Sequence, residues 1–177
     1  MKSAFLLATG LLAISTPAVA GGYLGLGLGT QPGVNDDMAA KAAPVGRSLR
    51  GLGGVRFGKF SIEGALNGFG VVVDNYGDQT VYQFSVAAKY NLPLGNHFEA
   101  FGRAGLERTW LSLGDDRYDY AGNGVLIGAG FEYRLDIGRS GASVFVDYTI
   151  HHAGLENTRS ELDATSRIWS LGFTVGL

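Results

Sequence analysis

Residues 124–135 read Gly-Val-Leu-Ile-Gly-Ala-Gly-Phe-Glu-Tyr-Arg-Leu, and their side chains follow a period of two. Apolar residues such as Val125 and Phe131 are separated by glycine or by a charged residue such as Glu132, and Leu126 is the exception. Neighbouring side chains on a β-strand point to opposite faces, so this alternation predicts a strand. One of its faces is apolar, and the other is small or charged.

The same period recurs along the chain after residue 20. Together with two weaker runs, at 49–57 and 98–110, it predicts eight strands. Most of them are close to the length of about 9 to 11 residues with which a tilted strand crosses a bilayer. The predicted strands are residues 24–29, 49–57, 60–67, 82–90, 98–110, 124–135, 143–150 and 169–177.

The connections between these strands alternate in length. Long polar segments are expected at residues 31–47, 70–79, 111–122 and 153–165, and short ones at 58–59, 93–97 and 137–141. Alternating long and short connections are typical of an up-and-down barrel whose long loops share one rim. The sequence therefore predicts an all-β fold, an eight-stranded antiparallel up-and-down barrel with both termini at the short-turn rim.

The composition excludes several classes of protein. Of 177 residues 29 are Gly, without a Gly-X-Y period, and 4 are Pro, so neither a collagen nor a proline-rich disordered chain is expected. The absence of Cys excludes a disulfide framework and a thiol nucleophile. With 14 basic and 16 acidic residues the net charge is −2, and no nucleic-acid-binding surface is expected.

The first 20 residues have the features of a secretory signal peptide. Lys2 precedes an apolar run, and the run ends at Pro17 and the small-x-small sequence of residues 18–20. The run is too short and too interrupted for a membrane anchor. We expect cleavage after Ala20, which leaves residues 21–177 as one barrel domain.

The arrangement of the two faces distinguishes a membrane barrel from a soluble, lipocalin-like ligand-binding barrel. The polar face is mostly Gly, Ala and Ser, which suits a narrow interior. Aromatic residues on the apolar face lie near the strand ends and suggest two interfacial girdles. We expect a transmembrane barrel, with the soluble barrel as an alternative. The girdle residues are Phe57, Phe60, Tyr90 and Tyr133 towards the short turns, and Tyr82, Trp110 and Trp169 towards the long loops.

A polar face that points inward places basic and acidic residues in a narrow interior. Charges in such a space must be paired or hydrogen-bonded. We therefore interpret them as a structural network, with a polar conduction path as the alternative. A barrel of eight strands is only wide enough for side chains to fill it. The predicted network comprises Arg50, Arg56, Glu63, Lys89, Glu99, Arg103, Glu107, Glu132, Arg134 and Asp147.

The predicted long loops are rich in acidic residues. They suggest a solvated surface, a site for a divalent cation such as calcium, or docking of a basic partner. Residues 115–119 offer carboxylate oxygens but lack the spacing of an EF-hand. The acidic residues are Asp36, Asp37, Asp74, Asp78, Asp115, Asp116, Asp119, Glu156, Glu161 and Asp163.

The pair His151-His152 near the end of the seventh strand is the candidate for catalysis. Lipid A deacylase barrels use a histidine near a strand end with a serine and an acid, because a serine nucleophile needs an adjacent base. Here Ser160 lies in the following loop without a spacing that marks a triad. A lipid A-modifying hydrolase using His151 or His152 therefore remains an alternative. Neighbours on a strand face opposite ways, which argues against a joint metal site.

Two stretches carry a resemblance to known proteins. The ending Ser170-x-Gly172-x-x-Val175-x-Leu177 resembles the C-terminal signal that the outer-membrane barrel insertion machinery recognises. Residues 128–134 resemble a strand of the small OmpA-like and OmpX-like eight-stranded outer-membrane barrels. In that family an inward acid sits beside an outward tyrosine, and Glu132 and Asp147 match these inward positions.

The resemblance implies a monomer in the outer membrane, in contact with its lipid and inserted by the barrel machinery. We predict a structural or surface-interaction role without enzymatic activity, cofactor or bound metal as part of the fold. We do not expect a general porin, because the paired charges plug the interior. An extracellular partner or a divalent cation at the acidic loops is the expected contact outside the cell.

Overall fold

The computed structural model describes residues 20–40, 42–73, 76–112, 120–135, 141–156 and 161–177. The predicted signal peptide, apart from Ala20, lies outside these residues. No helix within the described ranges is long and apolar enough to cross a membrane. The elements are β1 (Ala20–Gly29), β2 (Gly33–Val34), α1 (Asp36–Ala39), β3 (Ala42–Phe57), β4 (Phe60–Val73), β5 (Gly77–Gly95), β6 (Phe98–Ser112), β7 (Tyr120–Leu135), β8 (Ala142–Glu156) and β9 (Glu161–Gly176).

The strands form one antiparallel sheet that closes on itself. From β3 to β9 each strand pairs with the next, and β1 pairs with β3 on one side and β9 on the other. The ring of eight long strands confirms the predicted up-and-down barrel. The two-residue β2 continues beside β9 where β1 has ended. We call the end that carries α1 the α1 end, and the end where β1 begins and β9 ends the termini end.

The strands reach further towards the α1 end than predicted. Segments 70–79 and 153–165, expected as long loops, are largely taken up by the ends of β4, β5, β8 and β9, and β3 begins at Ala42. The predicted loop lengths were therefore wrong. Near this end the inward face is itself apolar, as at Val71 and Val73 beside the outward Val72, so the alternation that marks a strand disappears. The acidic residues at 115–119 lie outside the described residues.

The outward face of the barrel is apolar. Leu106 is 71% exposed, and Val86, Ile127 and Val146 also point outward. A soluble ligand-binding barrel would bury this face, so that alternative is wrong. Aromatic pairs at the strand ends, such as Phe60 with Tyr90, have ring centroids 5.0 Å apart. These rings occupy the positions expected for an interfacial girdle.

The seam beside β9 is completed by a side chain. At the α1 end, the Asn35 main-chain N–H donates to the Thr165 carbonyl at 3.1 Å, and the Thr165 N–H donates to Asn35 Oδ1 at 3.0 Å. Asn35 Nδ2 donates to the Asp163 carbonyl at 2.8 Å. At the α1 end of β9, Asn35 thus provides the hydrogen-bond partners for main-chain groups that β1, which ends at Gly29, no longer supplies.

Candidate functional site: the barrel interior

The centre of the barrel holds an ion-pair cluster around Asp147. Asp147 Oδ2 accepts from Arg50 Nη2 at 2.8 Å and lies 2.8 Å from Arg103 Nη2. Arg103 Nη1 donates to Glu63 Oε1 at 2.8 Å, and its Nη2 lies 2.6 Å from Thr149 Oγ1. All five side chains are buried. Two arginines are thus balanced by two carboxylates away from water.

The predicted network continues from this cluster towards the termini end. Lys89 Nζ donates to Glu132 Oε2 at 2.8 Å, and both residues are buried. Arg56 donates two hydrogen bonds to Glu99, at 2.8 and 2.9 Å, and Arg134 also contacts Glu99. The Arg134 side chain is 46% exposed, so it lies at the rim and not deep in the interior.

Towards the α1 end the network ends at one histidine. His151 Nδ1 lies 2.5 Å from Glu107 Oε2, and both side chains are buried. Next to it in sequence, His152 points outward, with Nδ1 3.0 Å from Thr165 Oγ1. The two histidines therefore face opposite sides of the wall, as neighbours on a strand do. We call the ten predicted network residues together with His151 the charged layer.

The partners in the charged layer come from strands that are not neighbours in the sheet. Arg50 on β3 reaches Asp147 on β8 across β1 and β9, and Arg103 on β6 reaches Glu63 on β4 across β5. Such pairs span the lumen. The alternation predicted which charges face inward, but which ones meet depends on the curvature of the closed sheet.

Two apolar residues that interrupted the predicted alternation also point inward. Phe145 and Leu126 are buried, and the Phe145 ring centroid lies 5.0 Å from the Arg50 guanidinium carbon. Gly172 leaves room for this ring, because a Cβ there would lie 2.4 Å from Phe145 Cζ and 2.3 Å from the Leu26 carbonyl oxygen. Phe145 thus packs against the cation that Asp147 neutralises.

The α1 end of the interior is filled by apolar side chains that the sequence analysis did not identify. The short helix α1 places Met38 among them with 2% of its surface exposed. A possible signal was the alternation of Phe69, Val71 and Val73, of which the last two fell in the predicted loop at 70–79. We call this group the apolar layer: Met38, Ala42, Phe69, Val71, Val73, Val81, Leu111, Ala153, Leu155, Leu162, Ala164 and Ile168.

The termini end of the interior is open. A cavity of about 430 Å³ is lined there by residues that include Tyr23, Arg56, Lys89 and Glu132. Farther in, beside Arg50 and the other central charges, a cavity of about 10 Å³ is the size of a single water site. The interior therefore narrows from a vestibule at the termini end, through the charged layer, to the apolar layer.

The remaining predicted sites are placed as follows. Ser170 and Gly172 face the interior, while Val175 and Leu177 face outward at the end of β9. Within the described ranges, no group of three His, Asp or Glu side chains is arranged to hold a metal ion.

Comparisons with known proteins address the family. The model of the outer membrane protein beta-barrel domain matches residues 4–176. Among curated proteins, no relative matches the chain.

Several solved structures have the same fold. NspA, the neisserial surface protein A, is 17% identical with a TM-score of 0.64, covering 87% of this chain and 96% of that one. The N-terminal β-barrel domain of OprF from Pseudomonas aeruginosa is 15% identical with a TM-score of 0.52, covering 89% and 99%. Ail of Yersinia pestis, solved with the heparin analogue sucrose octasulfate, is 13% identical with a TM-score of 0.53, covering 90% and 100%.

These identities are low, and the likeness establishes the fold of the chain. The family model, in contrast, matches nearly the whole sequence. The barrel closure and the apolar outward face agree with it. The chain therefore belongs to the outer membrane protein beta-barrel domain family and is a bacterial outer-membrane protein.

Proposed function

We propose that this protein is a closed structural barrel that presents its α1 end at the cell surface and conducts no bulk solute. The observation that carries the proposal is the filling of the lumen by two successive layers of side chains. The apolar layer packs twelve buried hydrophobic side chains against one another, and the charged layer contains ion pairs between strands that are not neighbours in the sheet. Eight strands leave little space beyond these side chains.

Planar-bilayer recordings on the refolded protein test this closure. We expect no stable, porin-sized conductance, because both layers must open before ions pass. The double variant Leu111→Gly, Leu155→Gly removes two side chains from the apolar layer and so widens the lumen there. The matched control, Leu106→Gly with Leu171→Gly, removes two side chains from the outward face. A reproducible nanosiemens-scale channel in the unmodified protein contradicts the proposal and favours passive diffusion of solutes.

The orientation of the barrel is part of the proposal. The segments that join β1 to β3 and β6 to β7 lie at the α1 end, whereas β3 and β4 are joined at residues 58–59. Barrels of this class place short turns in the periplasm and longer loops outside. An epitope inserted after Asp116 should be detected on intact cells without loss of folding, since exposed loops tolerate insertion. Detection only after the outer membrane is permeabilised would reverse the topology.

A surface role requires a contact outside the cell, and we propose that the acidic α1 end makes it. Asp78, Glu156 and Asp163 are exposed there, and they suit a basic partner or a bridging divalent cation. At the other end, the alternating residues of β9 suit recognition by the barrel insertion machinery. Truncation of Leu177 is expected to slow assembly in cells, and it should leave refolding into lipid vesicles unchanged if the residue acts as a signal.

The two histidines favour a role without catalysis. The His151 side chain lies in the lumen, where it contacts Glu107, and it does not face the lipid. His152 contacts a threonine, and no carboxylate in the described part of the chain lies within hydrogen-bonding distance of its ring. We expect the lipid A mass spectrum to be the same with and without the gene. A change in its acyl pattern that depends on His152 would instead establish a hydrolase.

A further inference from the structure

The outward wall carries a set of polar side chains near the α1 end, on four consecutive strands. On the same strands the outward positions closer to the middle are apolar, such as Leu106 and Ile127. The polar side chains are exposed or half-buried, and each points away from the lumen. We call them the polar arc: Arg108 on β6, Asn123 on β7, His152 on β8, and Thr165 and Arg167 on β9.

Contacts and register join the polar arc into one surface. Arg108 Nη1 donates to Asn123 Oδ1 at 3.1 Å, and His152 Nδ1 lies 3.0 Å from Thr165 Oγ1. Arg167 follows Thr165 on the same face of β9. His152 pairs with Val125, two residues from Asn123, so the two contacts lie at neighbouring positions of the sheet.

The arc presents positive charge that no carboxylate in the described ranges neutralises. Neither Arg108 nor Arg167 forms a salt bridge with a carboxylate in the part of the chain that the structure describes. A cation on the lipid-facing wall is costly unless it reaches a polar region, and it therefore marks a functional contact. Among the described residues neither guanidinium is balanced by an acid, so both suit an anionic ligand from outside the chain.

The depth of the arc is limited by its neighbours on both sides. Trp169 lies two residues after Arg167 on β9, packs against Tyr148 with ring centroids 4.9 Å apart, and marks the membrane interface. The Arg108 guanidinium carbon lies 5.7 Å from the Trp110 ring centroid, at the same girdle. Above the arc, Glu156 and Asp163 are exposed and would repel an anion. On β6 Trp110 lies nearer the α1 end than Arg108, so an anionic partner fits at the level of the girdle and the adjoining headgroups, on the membrane side of these carboxylates.

We propose that the polar arc binds the phosphorylated sugar headgroup of a glycolipid in the outer leaflet. Arginine suits phosphate oxygens because its planar guanidinium donates paired, charge-assisted hydrogen bonds. The Asn123 amide and the His152 ring offer further hydrogen bonds to sugar hydroxyls between the two arginines. The inference rests on the proposed orientation, which puts the α1 end in the outer leaflet.

The test uses the full mature chain refolded into vesicles of three compositions. These are phosphatidylcholine alone, phosphatidylcholine with phosphatidylglycerol, and phosphatidylcholine with lipid A. The variant is Arg108→Gln with Arg167→Gln, and the matched control is Lys59→Gln, which removes an exposed charge at the termini end. The readouts are the thermal unfolding temperature and the apparent affinity for lipid A.

We expect lipid A to raise the unfolding temperature of the unmodified chain and of Lys59→Gln. The double variant should lose most of this shift and about tenfold or more in affinity, since two charge-assisted contacts are removed. In phosphatidylcholine alone all three proteins should unfold at the same temperature, which shows intact folding.

An equal lipid A effect on the double variant and the unmodified chain overturns the proposal. An equal effect of phosphatidylglycerol and lipid A overturns the assignment to a glycolipid headgroup and leaves general anion attraction. Binding in these symmetric vesicles does not depend on orientation. A reversed epitope result on cells therefore contradicts the proposed topology, and the vesicle experiment tests the arc separately.

Discussion

The apolar layer and the charged layer lie in the same lumen and are stabilised by different physical interactions. Leu155 and Asp147 are eight residues apart on β8, and both are inward and almost completely buried. Leu155 needs only neighbours of the right volume, because dispersion and burial have no direction. Asp147 needs two guanidinium groups at hydrogen-bonding distance, and it has them at 2.8 Å. The stability of the apolar layer therefore depends on side-chain volume, and that of the charged layer depends on the positions of its hydrogen-bonding groups.

The largest expected effect is at the centre of the charged layer. Asp147→Asn removes the charge shared by Arg50 and Arg103, so that two buried arginines are left with Glu63 as the one carboxylate of the central cluster. We expect a loss of about 3 to 5 kcal/mol in the free energy of unfolding. Urea unfolding in phosphatidylcholine vesicles measures it. Asp78→Asn, at an exposed site, is the control and should change stability by less than about 0.5 kcal/mol. Similar small changes in both variants would show that the ion pairs are dispensable.

The apolar layer should respond to a loss of volume. Leu155→Ala leaves a cavity that the closed barrel cannot collapse around, and we expect a loss of about 2 to 5 kcal/mol. Leu155→Met keeps the volume and should cost less than about 1.5 kcal/mol. The outward control, Leu171→Ala, should cost less than Leu155→Ala because lipid chains fill the space. An equal cost for Leu155→Met and Leu155→Ala would contradict packing by volume.

The middle of the outward wall provides a third environment, in which a charged side chain would face lipid. Arginine at Val86, Ile127 or Val146 faces the middle of the bilayer, and each should cost about 2 to 4 kcal/mol. Phe57→Arg, near the termini end, should cost about 0 to 1 kcal/mol because the side chain reaches water. Unfolding of the four variants in one bilayer gives the comparison. A cost independent of depth would show that these positions do not span the membrane.

The smallest expected effect is at the rim of the charged layer. Arg134→Gln breaks a contact with Glu99, but the arginine side chain is 46% exposed and Arg56 still donates two hydrogen bonds to the same carboxylate. Exposed ion pairs contribute little, so we expect a change of less than about 1 kcal/mol. The same unfolding measurement applies. A loss as large as that of Asp147→Asn would mean that burial does not set the strength of these pairs.

Much of the fold could be predicted because a barrel repeats one local rule. The period of two identified eight strands and the inward charges, since side-chain direction along a strand depends only on the backbone next to it. The prediction from alternation was wrong where the lumen is apolar, because both faces of the strand are then apolar. At Val71, Val73 and Leu155 the inward side chains are apolar, and these positions were predicted as loops.

The sequence by itself determined the strands, their faces and the membrane environment, because each of these follows from local alternation and from the need to satisfy the backbone in lipid. Only the tertiary structure decided that Arg50 meets Asp147, that Arg103 meets Glu63 and that Met38 enters the apolar layer. Those contacts join strands that are not neighbours, and they depend on register, curvature and closure of the whole sheet. A pattern read along one strand contains no information about the opposite wall.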